Sequence, residues 1–414
     1  MRAIRQRFAA SVGGLSPVFW AIWSATLVNR MASFVGLFLA LFLRERHGYD
    51  EAQAGWVVAV WGLGSVLASP LGGVLTDRAG RRITMLLGLV LGGLAVLAIA
   101  FTPRADLLPL LSFAGGFTQQ LFFPAANAAI ADVVPPEHRD RAYGLEYWAV
   151  NLGLAFGFSV AGLVPTRHLA WLFVADAATT FVCAALIAVR VPETRPAVTR
   201  HEPALAGLAR VVADRTFSTL LALQVVALTI FTQFQLALPL DMLDHGVGPQ
   251  RFSFLMALNC VGVVLLQPWL TPLLRRFDPS RLLAASVTLF GLGYGLNALV
   301  STFPLYLAGA AFWTVGEVVG FPAAASLVAN LAPRALRGRY QGLYSMVWGA
   351  AMMLSPVAGG QLMHRFGAPV LWVTCLAAAL AVALGHLLAA ARRRRRLAEV
   401  AAAERSVPGH AATG

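Results

Sequence analysis

The sequence predicts an all-α membrane protein: twelve transmembrane helices in two pseudo-symmetric six-helix bundles. Three observations carry that reading. The chain is 58% hydrophobic and only 12% charged, with a mean hydropathy of +0.70, whereas soluble domains carry about 25% charged residues. Apolar runs of bilayer-spanning length, about 20 residues, recur at 17–43, 54–76, 83–102, 106–131, 143–164, 169–190, 217–240, 251–274, 282–302, 304–331, 341–363 and 368–391. The chain also matches itself. A shift of 198 residues lays Phe123-Pro124-Ala125-Ala126 on Phe321-Pro322-Ala323-Ala324, Arg139 and Arg141 on Arg337 and Arg339, and Gly144-Leu145 on Gly342-Leu343.

The repeat divides the chain into an N-terminal bundle (1–190), a polar linker (191–216), a C-terminal bundle (217–391) and a basic tail (392–414) expected to be disordered. Many secondary transporters build a substrate site where such half-repeats meet, so transport is the expected class of function. The first span is too long for a cleavable signal, and no small-residue cleavage site follows it. Orientation rests on arginine, because the chain has no lysine. With both termini inside, 25 of 32 arginines are cytoplasmic and six are outside, as the positive-inside rule requires. A multi-pass protein of the cytoplasmic membrane is expected.

Taken in order, span 1 carries Arg30 beside Asn29 near its middle, with Phe34 and Phe38 further along. A cation at that depth must pair with an anion, with backbone carbonyls or with an acidic substrate; the alternative is a static strut.

The loop after span 2 reads Gly72-Gly73-Val74-Leu75-Thr76-Asp77-Arg78-Ala79-Gly80-Arg81-Arg82. Gly73 would let another helix approach closely and Gly80 would permit a tight turn. Arg78, Arg81 and Arg82 would hold the loop at the headgroups. From Gly73 onward this resembles the signature loop of the major facilitator superfamily, G-x-L-x-D-R-x-G-R-R, at every specified position. The resemblance implies a twelve-helix transporter with alternating access. It also implies a latch in which Asp77 faces the start of span 11, behind Arg337 and Arg339. The second-half counterpart is degraded: Arg275, Arg276 and Asp278 stand where Asp77, Arg78 and Gly80 stand in the first half.

In that superfamily spans 1, 4, 7 and 10 line the central cavity. The resemblance therefore nominates Gln119, Gln120, Phe123 and Asn127 on span 4, Thr232 and Gln235 on span 7, and Trp313 and Glu317 on span 10. Glu317, the repeat partner of Gln119, is a candidate to bind and release a proton each cycle, with Arg30 as its expected ion-pair partner. Pro124 and Pro322 occupy equivalent sites and mark possible interruptions of spans 4 and 10. Few charges and many aromatic rings suit mostly apolar substrates better than sugars.

Span 5 keeps the glycine spacing of the drug-antiporter signature G-x-x-x-G-P-x-x-G-G at Gly153, Gly157 and Gly162, but has Phe158 for the proline and Ala161 for a glycine. Span 11 retains Pro356, Gly359 and Gly360. The partial match favours efflux. Glu146, near the inner end of span 5, is expected to pair locally with Arg139 or Arg141. Asp176 on span 6 is expected either to couple protons or to bond structurally to span 3 or 5.

Within the linker, Leu205, Leu208, Val211 and Val212 share one helical face, which suggests a short amphipathic surface helix; an unstructured tether is the alternative. The run Arg392 to Arg396 reads as an anchor on anionic headgroups rather than a nucleic-acid patch. Cys183, Cys260 and Cys375 lack metal-ligand spacing, and no nucleophile–base pair points to an enzyme. No cofactor or metal is expected, and a monomer suffices. The expected partners are a small-molecule substrate, a proton and the lipid bilayer. A symporter or facilitator for a metabolite or organic anion, or a non-transporting membrane sensor with this fold, are the alternatives.

Overall fold

The computed structural model describes residues 14–33, 35–49, 51–161, 169–196, 203–299 and 302–405, and the described residues form helices and short connections. Span 1 consists of α1 (Pro17–Met31) and α2 (Val35–His47). Span 2 is α3 (Glu51–Arg78), span 3 is α4 (Arg81–Phe101), and span 4 divides into α5 (Leu108–Gln120) and α6 (Phe122–Val133). Spans 5 and 6 are α7 (Arg139–Ala161) and α8 (Leu169–Arg190). The linker contains α9 (Ala204–Ala213). Span 7 comprises α10 (Arg215–Phe231), a 3-10 turn and α11 (Ala237–Asp244). Then follow α12 (Pro249–Leu274), α13 (Pro279–Gly295), α14 (Phe303–Leu331), α15 (Arg337–Phe366), α16 (Ala368–Leu388) and a terminal α17 (Ala390–Arg405). Eight of the described helices are individually long and apolar enough to cross a bilayer.

By packing, the chain falls into two units. The first comprises Met1–Pro135, Leu145–Ala197 and Gln341–Gly349. The second comprises Pro136–Gly144, Val198–Tyr340 and Ala350–Gly414.

Lipid tails supply no hydrophobic drive between helices, so close backbone approach does the work. In the first unit a Cβ on Gly116 would stand 2.0 Å from the Trp61 carbonyl oxygen, and one on Gly64 2.4 Å from that of Phe113. In the second unit Gly293 and Gly309 make the equivalent approach, each 2.5–2.6 Å from the other's carbonyl oxygen by the same construction.

The breaks fall differently from the expected proline pair. Span 4 is interrupted at Leu121, where the Pro124 ring displaces the carbonyl of Gln120. The counterpart Pro322 does not interrupt α14. Span 7 breaks ahead of Pro239, which acts on the Gln235 carbonyl in the same way. Span 1 breaks after Met31 with no proline near.

The tail expected to be disordered is helical to Arg405, and its arginines are not all lipid anchors. Arg393 is 1% exposed and donates to Ser280 Oγ (3.2 Å) and His386 Nδ1 (3.1 Å). Arg396 binds Asp214 at 3.3 Å, and Arg394 lies 3.7 Å from Asp278. Asp214 and Asp278 are the N-caps of α10 and α13, so α17 fastens to helix starts with one face and exposes Arg392 and Arg395 on the other. Burial pushes the Arg393 guanidinium down to about 10, with Asp278 opposing. Arg393→Ala, which removes two buried hydrogen bonds from a charged donor, should lower stability by about 1.5–3 kcal/mol. Thermal unfolding in detergent, compared with exposed Arg395→Ala, checks this.

The linker's amphipathic stretch is helical, and Val211 is fully buried. Gly207 packs on the Arg339 guanidinium, 2.5 Å from where its Cβ would stand. Its face is therefore covered by the second unit rather than lying wholly on lipid.

Candidate functional site

In the first unit the residues singled out on span 1 sit at its break. Arg30 is in the last turn of α1, with its guanidinium 4.6 Å above the Phe123 ring. The carboxylates acting on it are Asp176 and Glu146, both in the same unit. Neither forms a salt bridge with it, and Arg30 Nε is buried without a hydrogen-bond partner. Within the first unit, Asp176 and Glu146 are thus the acids that act on Arg30. The sequence offered no way to rank acids on spans 5 and 6 against one on span 10 by distance.

Glu146 corrects a second expectation. Rather than reaching Arg139 or Arg141, it faces Arg30, with the Thr26 hydroxyl beside it but no well-formed hydrogen bond to Oε2. Asp176, 3% exposed, accepts a bond from the Val35 amide at 3.2 Å and so partners span 1. A carboxylate at a helix N-terminus meets about +0.5 charge, and here it satisfies a backbone donor that the break releases. Asn29 turns the same way, donating to Thr180 Oγ1 at 3.0 Å.

The span 5 glycines seat α7 against this break. A Cβ on Gly153 would be 2.6 Å from Arg30 Cβ, and one on Gly157 2.9 Å from the Met31 carbonyl oxygen. The second unit repeats the arrangement. Gly359 of α15 meets Gln233 at the span 7 break, and Gly360 meets Leu236. Pro356 lies within α15. Phe34 and Gly162 lie outside the described residues.

Glu317 is midway along α14 and 2% exposed. Asn259 of α12 donates to its Oε1 at 2.7 Å and to Thr314 Oγ1 at 3.0 Å. Trp313 is a packing residue: 2% exposed, it stacks on Tyr294 at 6.2 Å, and Tyr294 stacks on Trp372 at 5.7 Å. Thr232 is fully buried, its hydroxyl spent on the carbonyls of Leu228 and Ala351. Gln235 is exposed, whereas Gln119, whose Cγ packs on Gly92, is half-buried like Gln120 and Asn127.

Sequence reasoning missed Asp241. It is 1% exposed and accepts from Tyr306 (2.9 Å) and Trp372 Nε1 (3.2 Å), with His245 Nδ1 3.6 Å away. Asp241 and Asn259 are polar residues within or beside apolar runs, which is the signal that would have found them.

The signature loop lies at the inner end of the first unit. A Cβ on Gly342 would stand 3.0 Å from Gly73 Cα, so α15 and α3 meet backbone to backbone. Gly80 has φ of +113°, and the Glu193 carboxylate occupies the space of a Cβ. That carboxylate accepts from the amides of Arg81 (2.9 Å) and Arg82 (3.2 Å) and so caps α4. Arg78 is exposed and its carbonyl accepts from Arg195. Arg81 departs from its expected place at the headgroups. It is 1% exposed and binds Asp132 at 2.8 Å, Asp77 at 3.4 Å and the Thr76 carbonyl at 3.0 Å. Arg82 bonds the Ala188 carbonyl. Gly80→Ala should strain the turn and displace Glu193, loosening the loop by about 1–3 kcal/mol; more rapid proteolysis within 78–82 is the readout.

The family model of the Major Facilitator Superfamily matches residues 22–240 and 220–411. The chain belongs to the major facilitator superfamily. It is 25% identical over 346 residues to the multidrug resistance protein MdtH of Enterobacter sp. (strain 638), covering 81% of this chain and 85% of that protein. It is 25% identical over 355 residues to a Na(+), Li(+), K(+)/H(+) antiporter of Planococcus maritimus, covering 78% and 83%. The crystal structure of the human organic anion transporter MFSD10 superposes with a TM-score of 0.76 at 17% identity, covering 89% and 99%. That last likeness shows the fold alone. This facilitator is thus a multi-pass membrane transporter, and its relatives are transporters rather than enzymes.

Proposed function

We propose that this facilitator is a proton-coupled exporter of small, mostly apolar molecules. It acts by alternating access in the cytoplasmic membrane, with both termini inside. The observation that carries the reading is Glu317, a carboxyl buried midway along a membrane helix and held by the neutral amide of Asn259. An amide N–H donates to a carboxylate and to the carbonyl oxygen of a carboxylic acid alike, so the site tolerates both protonation states. Intramembrane acids are functional candidates because each ionised one costs about 2.5–3.5 kcal/mol by insertion scales. A proton entering down 100 mV supplies ~2.3 kcal/mol. The names of the two bacterial relatives, a multidrug resistance protein and a cation/proton antiporter, point the same way.

The experiment uses inside-out vesicles with an imposed proton gradient. A transported compound, identified by a susceptibility screen of overexpressing cells, should release the gradient. Glu317→Gln should abolish the release while leaving folding intact. Unchanged release in that variant would falsify the role given to Glu317.

One observation favours a second reading, exchange of an organic anion. Arg30 Nε is a buried donor with no acceptor, a place that an acidic substrate group would fill. Loss of anion uptake in Arg30→Gln, with apolar export unchanged, would select that reading.

A further inference from the structure

The charge cluster at the break of span 1 belongs to the first half alone. The 198-residue shift carries Arg30 to Leu228, Glu146 to Tyr344 and Asp176 to Thr374. The second half therefore builds the corresponding spans with neutral residues at all three places. An intramembrane acid that the repeat can do without is a candidate for function rather than for scaffold.

Packing fixes where Glu146 points. Just before it, the Leu145 carbonyl accepts from Trp23 Nε1 at 2.8 Å, and just after it Trp148 stacks on Trp23 at 5.8 Å. One and two turns further on, Gly153 and Gly157 seat α7 against the end of α1. Glu146, Gly153 and Gly157 share a helical face at i, i+7 and i+11. The groups that meet the carboxyl are Thr26 and Arg30 of α1 and Cys183 of α8, and Asp176 of α8 reaches it through Arg30. Glu146 as a residue is half-buried, yet its Oε2 is enclosed without a hydrogen-bond partner. Thr26 Oγ1 and Arg30 Nε are enclosed in the same way.

Two acids thus act on one arginine, and their surroundings differ. Asp176 accepts from the Val35 amide at the start of α2, where a helix end presents about +0.5 charge. That setting suits a carboxylate, which balances Arg30. A second carboxylate would leave the cluster with a net negative charge, and an enclosed oxygen without a donor keeps its full desolvation penalty. A carboxylic acid removes both difficulties. The Thr26 hydroxyl accepts from an acid O–H or donates to a carboxylate, so the same neighbour serves either state.

We propose that Glu146 is the exchangeable proton site of the first unit, protonated while Asp176 balances Arg30. On release the Glu146 O–H bond breaks, the proton passes to water, and the carboxylate left behind is compensated by Arg30. The molecule then has one proton site in each half, Glu146 and Glu317. As a proton-binding site Glu146 stands independently of the transport reading; its place in the cycle rests on the proton-coupled reading above.

The test uses the full-length protein purified in mild detergent. Infrared spectra recorded against pH read the carbonyl stretch of protonated carboxyl groups, in a Glu317→Gln background that removes the other candidate. A neutral-carboxyl band should be present at pH of about 7, close to where exposed carboxyls are ionised. Adding Glu146→Gln should abolish the band, and adding exposed Glu137→Gln should leave it. Asp176→Asn frees Arg30 to compensate Glu146, so the band should vanish at a pH lower by about 1 or more. If Glu146→Gln does not fold, Glu146→Asp should move the band instead. The proposal is overturned if the band survives Glu146→Gln, if Glu146→Asp leaves it unmoved, or if Asp176→Asn does not alter its pH dependence. In inside-out vesicles Glu146→Gln should lower the protons released per substrate, and unchanged release would remove Glu146 from the cycle. Failure of the Glu317 assignment shows separately, as unchanged release in Glu317→Gln alone.

Discussion

Arg81→Ala should be the most destabilising single change in the signature loop, lowering stability by about 3–5 kcal/mol. Arg81 is almost completely buried and binds Asp132 at 2.8 Å, Asp77 at 3.4 Å and the Thr76 carbonyl at 3.0 Å. Its removal takes from two carboxylates, 3% and 5% exposed at the side chain, the guanidinium that bridges them. Breaking one partner of a buried ion pair is harsh because the remaining charge keeps its desolvation penalty. Arg81→Lys should recover only part of the loss, since one ammonium cannot reproduce the fork. The double change Arg81→Met with Asp132→Asn removes a charge of each sign and should lie closer to wild type than Arg81→Ala. Thermal midpoints of the four proteins in one detergent decide the matter. If Arg81→Ala unfolds within a degree or two of wild type, Arg81 is not the bridge that its distances describe. Arg82→Ala gives the contrast. That side chain is half-buried and bonds a carbonyl rather than a pair of acids, so its loss should be smaller.

The signature loop also shows how far a sequence can be read. Its location and glycine requirements were legible, because Gly73 and Gly80 are constrained by backbone geometry that any occupant must meet. The role of Arg81 was not. An arginine at the inner end of a span reads as a headgroup contact until Asp132, some fifty residues away on another helix, is seen 2.8 Å from it. The same limit explains Arg30 and Glu146. Hydropathy places a charge at a depth, but it does not say which face of a helix the charge occupies. Two acids on spans 5 and 6 therefore could not be ranked against one on span 10. Repeat symmetry helped and misled in turn. It aligned Gly144-Leu145 with Gly342-Leu343, and Gly342 does seat α15 against α3 at Gly73. It also suggested that Pro124 and Pro322 would both interrupt their helices, and only the first does. Composition misjudged the tail. Arg393, Arg396 and Val400 recur at helical spacing, a stripe that the high arginine content concealed, and they form the docked face of α17.

Asp176 joins the break in span 1 to the charge beside it, and its replacement should separate those two roles. The carboxylate accepts the Val35 amide at 3.2 Å and also acts on Arg30. Asp176→Asn keeps an oxygen that can accept from Val35 and removes the charge. Folding should survive with a loss of about 1–2 kcal/mol, but Arg30 would then answer to Glu146 alone. Asp176→Ala removes both, leaving a helix-start amide without its cap and Arg30 without the larger of its two acidic neighbours. A loss of about 3–5 kcal/mol is expected. Transport separates the variants further. If the charge matters to the cycle, Asp176→Asn should fold and yet shift the pH dependence of substrate-driven proton release, whereas a purely structural cap would leave that profile unchanged. Amide exchange at Val35 supplies the independent readout, because only the Ala variant should expose it. Equal exchange in the Asn and Ala proteins would mean that the break is held by the approach of α7 at Gly153 and Gly157 rather than by the carboxylate. In that event Gly153→Ala, which drives a methyl to 2.6 Å from Arg30 Cβ, becomes the change that opens span 1.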